Sequence, residues 1–242
     1  MMMLPFRITD RHSHILPGLD DGSKSMEETI SALKTAEKQG ISRILVTPHL
    51  HPGRYMTDAD RIYRKLDEVR TEIEKNEIQI QLFPGQECCY YSGLVRKLKS
   101  GEALTLAGSR YVLTEFEPQC RFQDMFNAVQ ELLFAGYQPV LAHFERYECM
   151  EKQENRKAIR EQGVLMQMNF DTIQKGGFIF GNPWRKAVKN GEVDLFGSDC
   201  HGTHFRPLKL ERSLDWLEET LSPEELSRIL EDNVTKVLHR CV

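Results

Sequence analysis

Two histidines one residue apart, His12 and His14, follow Asp10 and precede the carboxylate pair Asp20 and Asp21. On an extended segment alternate side chains point to the same side, so both imidazoles reach one region of space. Two neutral ring nitrogens there suit a borderline divalent ion. Asp20 or Asp21 then adds an oxygen ligand or orients a neighbour. Taken alone, such a pair is ordinary on a strand face. The rest of the chain repeats the offer, with His49 after Pro48, Glu87 after Gly85-Gln86, then Glu115, His143, and Asp199 with His201, again one residue apart. This many histidines and carboxylates exceeds the need of one ion, so a carboxylate bridging two ions fits better.

Clustered divalent ions suit the hydrolysis of phosphate esters. They acidify water, polarise phosphoryl oxygens and stabilise both attacking and leaving oxygens. The sequence has no G-x-x-x-x-G-K-[ST] loop and no G-x-S-x-G elbow, and a thiol nucleophile is not expected. Metal-activated water is the expected nucleophile. Arg146, three residues after His143, and Arg206, five after His201, are the candidates for gripping a dianionic phosphate, because guanidinium matches its geometry bidentately. Asp199 and His201 are candidate proton donors to a leaving group. Tyr55, Tyr90 and Tyr91 are candidates to line the entrance, whereas His51 reads as an exposed loop histidine.

These residues need a scaffold that brings strand ends together. Ser25, with Glu28 as a capping box, opens a helix closed by Gly40. The strand 41–47 follows, then a helix over 58–75 with Ile62, Leu66, Val69 and Ile73 at helical spacing. Ile78, Ile80 and Leu82 alternate as a strand; further strands are expected at 110–116, 139–143, 164–170 and 193–197. Helices are expected over 122–135 and 154–162, a loop at 175–178, a helix start at Asn182-Pro183 and another at Ser222. With the segment holding His12, seven strands alternate with helices, the pattern of a parallel sheet with crossover helices. Ligand candidates from so many strand ends favour a closed β/α barrel, whose active site lies at the C-terminal ends of its strands.

The 242 residues carry 40% hydrophobic and 28% charged side chains, ordinary for a globular chain. No linker or repeat divides them, so a single domain, 1–242, is expected. A net charge of −4 without a basic stripe argues against a nucleic-acid partner. No apolar run is long enough to span a bilayer, the opening Met1-Met2-Met3-Leu4-Pro5-Phe6 is no secretory signal, and a cytoplasmic location is expected. The six cysteines form no C-x-x-C pair and read as reduced thiols. The adjacent Cys88 and Cys89 face opposite ways on a strand, which favours a structural role.

Asp10-x-His12-x-His14, Leu16-Pro17-Gly18-Leu19-Asp20-Asp21-Gly22, Thr47-Pro48-His49, Gly85-Gln86-Glu87, Glu115-Phe116, Ala142-His143-Phe144-Glu145-Arg146-Tyr147 and Ser198-Asp199-Cys200-His201 together resemble the PHP (polymerase and histidinol phosphatase) superfamily. More narrowly, the chain resembles the bacterial manganese-dependent protein-tyrosine phosphatases of capsule and exopolysaccharide synthesis. The resemblance implies a distorted seven-stranded TIM-like β/α barrel with up to three metal ions at its strand ends. His12, His14, Glu87 and Asp199 would hold one ion, and Glu87 would bridge to a second held by Glu115 and His143. Asp21, His49 and His201 would serve the third, and Arg146 and Arg206 would contact phosphate. It further implies manganese, with iron, zinc or cobalt also compatible with the ligands. The implied substrate is phosphotyrosine in the C-terminal tail of a bacterial tyrosine kinase, and the family often forms homo-oligomers. Arg11 departs from the pattern, standing where an apolar residue is more usual. Rival expectations are a small-molecule phosphomonoesterase such as a histidinol-phosphatase, a non-catalytic metalloprotein that binds phosphoproteins, and, more weakly, a nuclease.

Overall fold

The computed structural model describes residues 8–174 and 182–232; the opening segment 1–6, the loop expected at 175–178 and Cys241 lie outside the described residues. The strands are β1 (Ile8–Asp10), β2 (Ile41–Val46), β3 (His49–His51), β4 (Tyr55–Met56), β5 (Gln81–Pro84), β6 (Glu87–Cys89), β7 (Tyr111–Glu115), β8 (Gln138–Leu141), β9 (Leu165–Asn169) and β10 (Leu195–Gly197). Seven staves emerge from them. β2 and β3 are one course interrupted at Thr47-Pro48, and β5 and β6 are another interrupted at Gly85-Gln86. Proline cannot donate a ladder hydrogen bond, which explains the first break. At the second, a Cβ on Gly85 would stand 3.0 Å from Leu106 and 3.3 Å from Thr47, so a larger residue would force these neighbours to shift by a few tenths of an ångström. The breaks let each course bend and change neighbours.

One sheet runs β1-β2-β5 and the other β10-β9-β8-β7-β6-β3-β4. Every pairing is parallel except the short β3–β4 hairpin. The sheets are continuous with one another through the two interrupted courses. The last gap closes by backbone: the Asp199 N–H donates to the His12 carbonyl at 2.7 Å, and the His14 N–H to the Cys200 carbonyl at 2.8 Å. On its other side the same segment accepts from the Thr47 N–H through Ser13 at 2.8 Å. The fold is the expected distorted parallel β/α barrel.

The outer layer comprises α1 (Met26–Lys38), α2 (Ala59–Lys75), α3 (Leu94–Ser100), α4 (Phe122–Phe134), α5 (Gln153–Glu161), α6 (Pro183–Lys189), α7 (Glu211–Thr220) and α8 (Pro223–Ser227). Ile62, Leu66, Val69 and Ile73 of α2 are all buried, as their spacing predicts. A fully buried aliphatic side chain of this size contributes about 1.5–3 kcal/mol, which is how a polar-rich helix is held to the barrel. Ser25 caps α1, but the expected capping box is half formed. The Glu28 carboxylate accepts instead from the N–H groups of Lys24 and Thr203, both at 2.9 Å, and so anchors the loop after β10. The box at Ser222 and Glu225 is reciprocal. The third course begins at Gln81 rather than at 78; Ile78 and Ile80 are buried on the approach to it, outside the ladder. Among the described residues, no helix is long and apolar enough to cross a membrane.

Candidate active site

All the metal-type residues singled out in the sequence meet at the C-terminal ends of the staves. The rings of His12 and His14 converge, with their Nε2 atoms 3.1 Å apart. Glu87, which opens β6, lies with its Oε2 3.1 Å from His12 Nε2 and 3.2 Å from His14 Nε2. Asp199, beyond β10, places Oδ1 at 3.6 and 3.4 Å from the same two atoms. Two ligands each about 2.1 Å from one ion stand about 3.0 Å apart at a right angle and about 3.4 Å apart at the tetrahedral angle. The observed spacings match. On the other side of Glu87, Oε1 is 2.8 Å from His143 Nε2, and Glu115 Oε1 is 3.6 Å from that nitrogen. His49 Nδ1 faces Glu87 at 3.0 Å and Glu115 at 3.5 Å, while its Nε2 faces Asp21 at 3.5 Å. His201 Nε2 also faces Asp21, at 3.4 Å.

Hydrogen bonds behind the rings decide which nitrogens carry protons. His14 Nδ1 donates to Asp20 at 2.7 Å, and His12 Nδ1 donates to the Gln167 oxygen at 3.0 Å. His201 Nδ1 donates to the Asp199 carbonyl at 2.8 Å. With Nδ1 so engaged, each Nε2 is left to face the other ligand atoms, with a proton or a cation between them. Gln167 is itself fixed, because its amide nitrogen donates to Asn169, whose own amide donates to Asp199. The roles of Asp20 and Asp21 separate accordingly: Asp20 orients His14, and Asp21 faces the ligand nitrogens. His49 and His14 each belong to two potential ion-holding groups, but a neutral imidazole has one lone pair, so each ring serves one ion at a time.

A cluster of acceptors facing acceptors is unfavourable without a cation between them. Five buried atoms here, His49 Nδ1, Glu87 Oε2, Glu115 Oε2, Asp21 Oδ1 and His201 Nε2, have no hydrogen-bond partner. The donors are nitrogens and carboxylate oxygens, and three groups of them each lie close enough to hold an ion. The residues present fit a cluster of divalent ions. Electrostatics agree. Burial alone would raise the Asp199 carboxyl, but His12, His14 and Arg146 hold it well below the usual carboxylate range. Burial likewise opposes a proton on His49, yet Glu87 and Glu115 push it up to about 10.

Two of these ligand candidates stand on left-handed backbone, His143 at φ 30° and Asp199 at φ 52°. Such conformations cost on the order of 1–3 kcal/mol each in non-glycine residues and persist where the surroundings impose them. The impositions are the His143 N–H on Gln167 at 2.9 Å and the Asp199 N–H on His12.

Arg146 and Arg206 both reach Asp199 Oδ2, at 2.5 and 2.7 Å. A cavity of about 330 Å³ opens above the cluster, lined by both arginines and by Tyr55 and Phe116. Tyr55 stacks on His49, with ring centroids 5.5 Å apart. Tyr90 instead hydrogen-bonds Glu131, and Tyr91 does not line the cavity. His51 is not the exposed loop histidine expected: it ends β3 and lines the cavity, partly buried and 3.3 Å from Glu117. Sequence reasoning missed Gln167 and Asn169 and gave Tyr147 no role beyond its place in a motif; the buried Tyr147 hydroxyl accepts from the Phe116 N–H and lies 3.4 Å from His143 Nδ1.

Cys200 and Arg206 have the C-x(5)-R spacing of a thiol-based phosphatase loop, but the surroundings of the cysteine do not suit a nucleophile. Cys200 is buried, its Sγ donates to the Gly202 carbonyl at 3.3 Å, and burial pushes its thiol up to about 11. It does not line the cavity. Cys89 does, but burial and the Glu115 carboxylate push it up to about 12, and Cys88 is packed in the core. None presents a thiolate.

The sequence model of the family described as capsular polysaccharide synthesis, CpsB/CapC, matches residues 8–239. The chain belongs to that family. It is 30% identical over 236 residues to the tyrosine-protein phosphatase CpsB of Streptococcus agalactiae serotype V, covering 95% of this chain and 97% of the relative. To the tyrosine-protein phosphatase YwqE of Bacillus subtilis it is 28% identical over 238 residues, covering 95% and 91%. A solved structure from the pair YwqE of Bacillus subtilis and CpsB of Streptococcus pneumoniae, described as unique metal-dependent tyrosine phosphatases, superposes with a TM-score of 0.87 at 26% identity. That match covers 97% of this chain and 96% of the other.

Proposed function

We propose that this CpsB/CapC family member hydrolyses phosphotyrosine in proteins, using a cluster of divalent metal ions. The observation that carries the reading is the set of buried, partnerless ligand atoms lying beneath two arginines that converge on Asp199. His12, His14, Glu87 and Asp199 would hold one ion, Glu87 with Glu115 and His143 a second, and Asp21, His49 and His201 a third. Manganese is the proposed metal; iron, zinc and cobalt also accept this mixture of nitrogen and oxygen ligands. Such ions supply Lewis acidity toward the phosphoryl oxygens and lower the pKa of water.

Arg146 and Arg206 would grip the phosphate oxygens, turning from Asp199 toward the substrate, and offset the charge that builds on them in the transition state. Asp199, which accepts from Asn169, Arg146 and Arg206, stays ionised and is no proton donor. His201 spends its Nδ1 proton on a backbone carbonyl, and burial lowers its pKa. These bonds support a reading in which both serve as ligands and neither carries a proton toward the leaving oxygen. Phenolate departs readily without strong acid assistance, and this favours an aryl ester over an alkyl one. The natural substrate is proposed to be the C-terminal tail of a bacterial tyrosine kinase.

Phosphate release from a phosphotyrosine peptide, on chelated enzyme reloaded with manganese, tests the reading. Release is expected to depend on metal and to vanish in His12→Ala. Arg206→Ala should lower kcat/KM by about 10- to 100-fold, the worth of a charged hydrogen bond. Release from histidinol phosphate but not from the peptide, at equal metal loading, would overturn the protein substrate.

A further inference from the structure

We propose that Phe205 is a specificity-determining residue, the surface on which the phenyl ring of the phosphorylated tyrosine rests. The inference builds on the phosphatase reading above. Phe205 is 71% exposed, one of few large apolar side chains left in water among the described residues. Isolated exposed apolar residues are ordinary. Its position is what distinguishes it. The ring meets His201 edge-on, with centroids 6.3 Å apart, and the Arg206 guanidinium lies over its face, 5.3 Å from the centroid.

Four rings form an arc along this rim. Tyr55 stacks on His49 at 5.5 Å, His49 lies 6.1 Å from His201, and His201 lies 6.3 Å from Phe205. Tyr55 and Phe205 thus flank the two histidines. The arginines define where phosphorus must sit, and in an aryl phosphate the phenyl ring stands one bridging oxygen outward from it. Beyond the arginines a second cavity of about 210 Å³ is lined by Phe205, Lys209 and Asp171, and Arg146 and Arg206 line both cavities. A ring leaving the phosphate site toward that second cavity passes Phe205. It meets an aromatic face there, with which it can stack offset or edge-on. An alkyl ester offers no such face. Tyr55 lies nearly parallel on a ligand histidine, whereas Phe205 meets one only edge-on and stays largely exposed, which leaves ring surface for the substrate.

The test compares wild type, Phe205→Ala and Phe205→Trp as full-length manganese-loaded protein. The KM for a phosphotyrosine peptide is measured beside the inhibition constant of inorganic phosphate, which occupies the arginines without a ring. Phe205→Ala is expected to raise the peptide KM about threefold to tenfold, the worth of one aromatic contact. Phosphate inhibition should stay within about twofold, and Phe205→Trp should restore the KM. Equal weakening of peptide and inorganic phosphate would overturn the proposal, because Phe205 would then act only by placing Arg206. An unchanged KM would overturn it too. Wild type that binds inorganic phosphate but releases none from the peptide would remove the phosphotyrosine reading itself, and the proposal with it.

Discussion

Gln167 holds two ligands with one oxygen. Its Oε1 accepts from His12 Nδ1 and from the His143 backbone N–H, setting the tautomer of one ring and the strained backbone of the other. Partners of this kind commonly tune metal affinity or activity by 10- to 100-fold. Gln167→Leu keeps the side-chain bulk and removes both bonds. It is expected to weaken manganese binding by about 10- to 100-fold, read by competition with a chromogenic chelator; unchanged affinity would mean that the rings are held by packing alone. The ligands were legible in the sequence because a histidine or carboxylate ending an apolar run is costly without a partner. Gln167 was not, since an uncharged amide inside Val164–Phe170 carries no comparable penalty signal. Phe205 escaped for the opposite reason, as a lone aromatic in a loop looks like noise until its neighbours are placed.

At the scale of elements, β10 is limited by how closely the first stave approaches it. A Cβ on Gly197 would stand 2.6 Å from the His12 Cβ and 3.1 Å from Gln167 Nε2. Gly197→Ala must push the His12 segment away from β10, and overpacking of this kind costs about 1–3 kcal/mol. Urea unfolding should show that loss together with a lower manganese affinity; a stable variant with intact affinity would show that the staves have slack here. Short apolar runs between turn residues marked the staves, which are buried on both faces, and helical spacing marked the main helices. Neither revealed that two staves are broken. The break at Gly85 answers to neighbours distant in sequence, Leu106 and Thr47, and such contacts leave no local pattern. Arg11, which stands where an apolar residue is more usual, is buried as such a residue would be, with Nη1 3.4 Å from the Phe196 carbonyl and with Nε and Nη2 unpartnered.

For the whole molecule, protons and cations are alternatives. In the chelated protein the His49 pKa stands at about 10, above the ordinary 6.5, because Glu87 and Glu115 outweigh the cost of burial. A raised folded-state pKa means that the proton stabilises the fold. That contribution is fully present below pH about 6.5 and is lost as pH rises through about 10. Chelated protein is therefore expected to lose thermal stability between pH 7 and 10. Manganese-loaded protein should hold, its histidine lone pairs being engaged. A Tm series with and without chelator checks this, and parallel curves would contradict a cation shared among these residues.

The first and last staves meet at the same place. His12 and His14 belong to the first stave, Asp199 and His201 to the last, and only a few backbone bonds join those staves directly. An ion held by both is also a clasp on the seam of the barrel. It would fasten a loop that contains most of the protein, the kind of cross-link from which a chain gains most in closure entropy. The chemistry and the tightness of this seam would then depend on one event, and molecules without metal would be inactive and held along it by those backbone bonds alone.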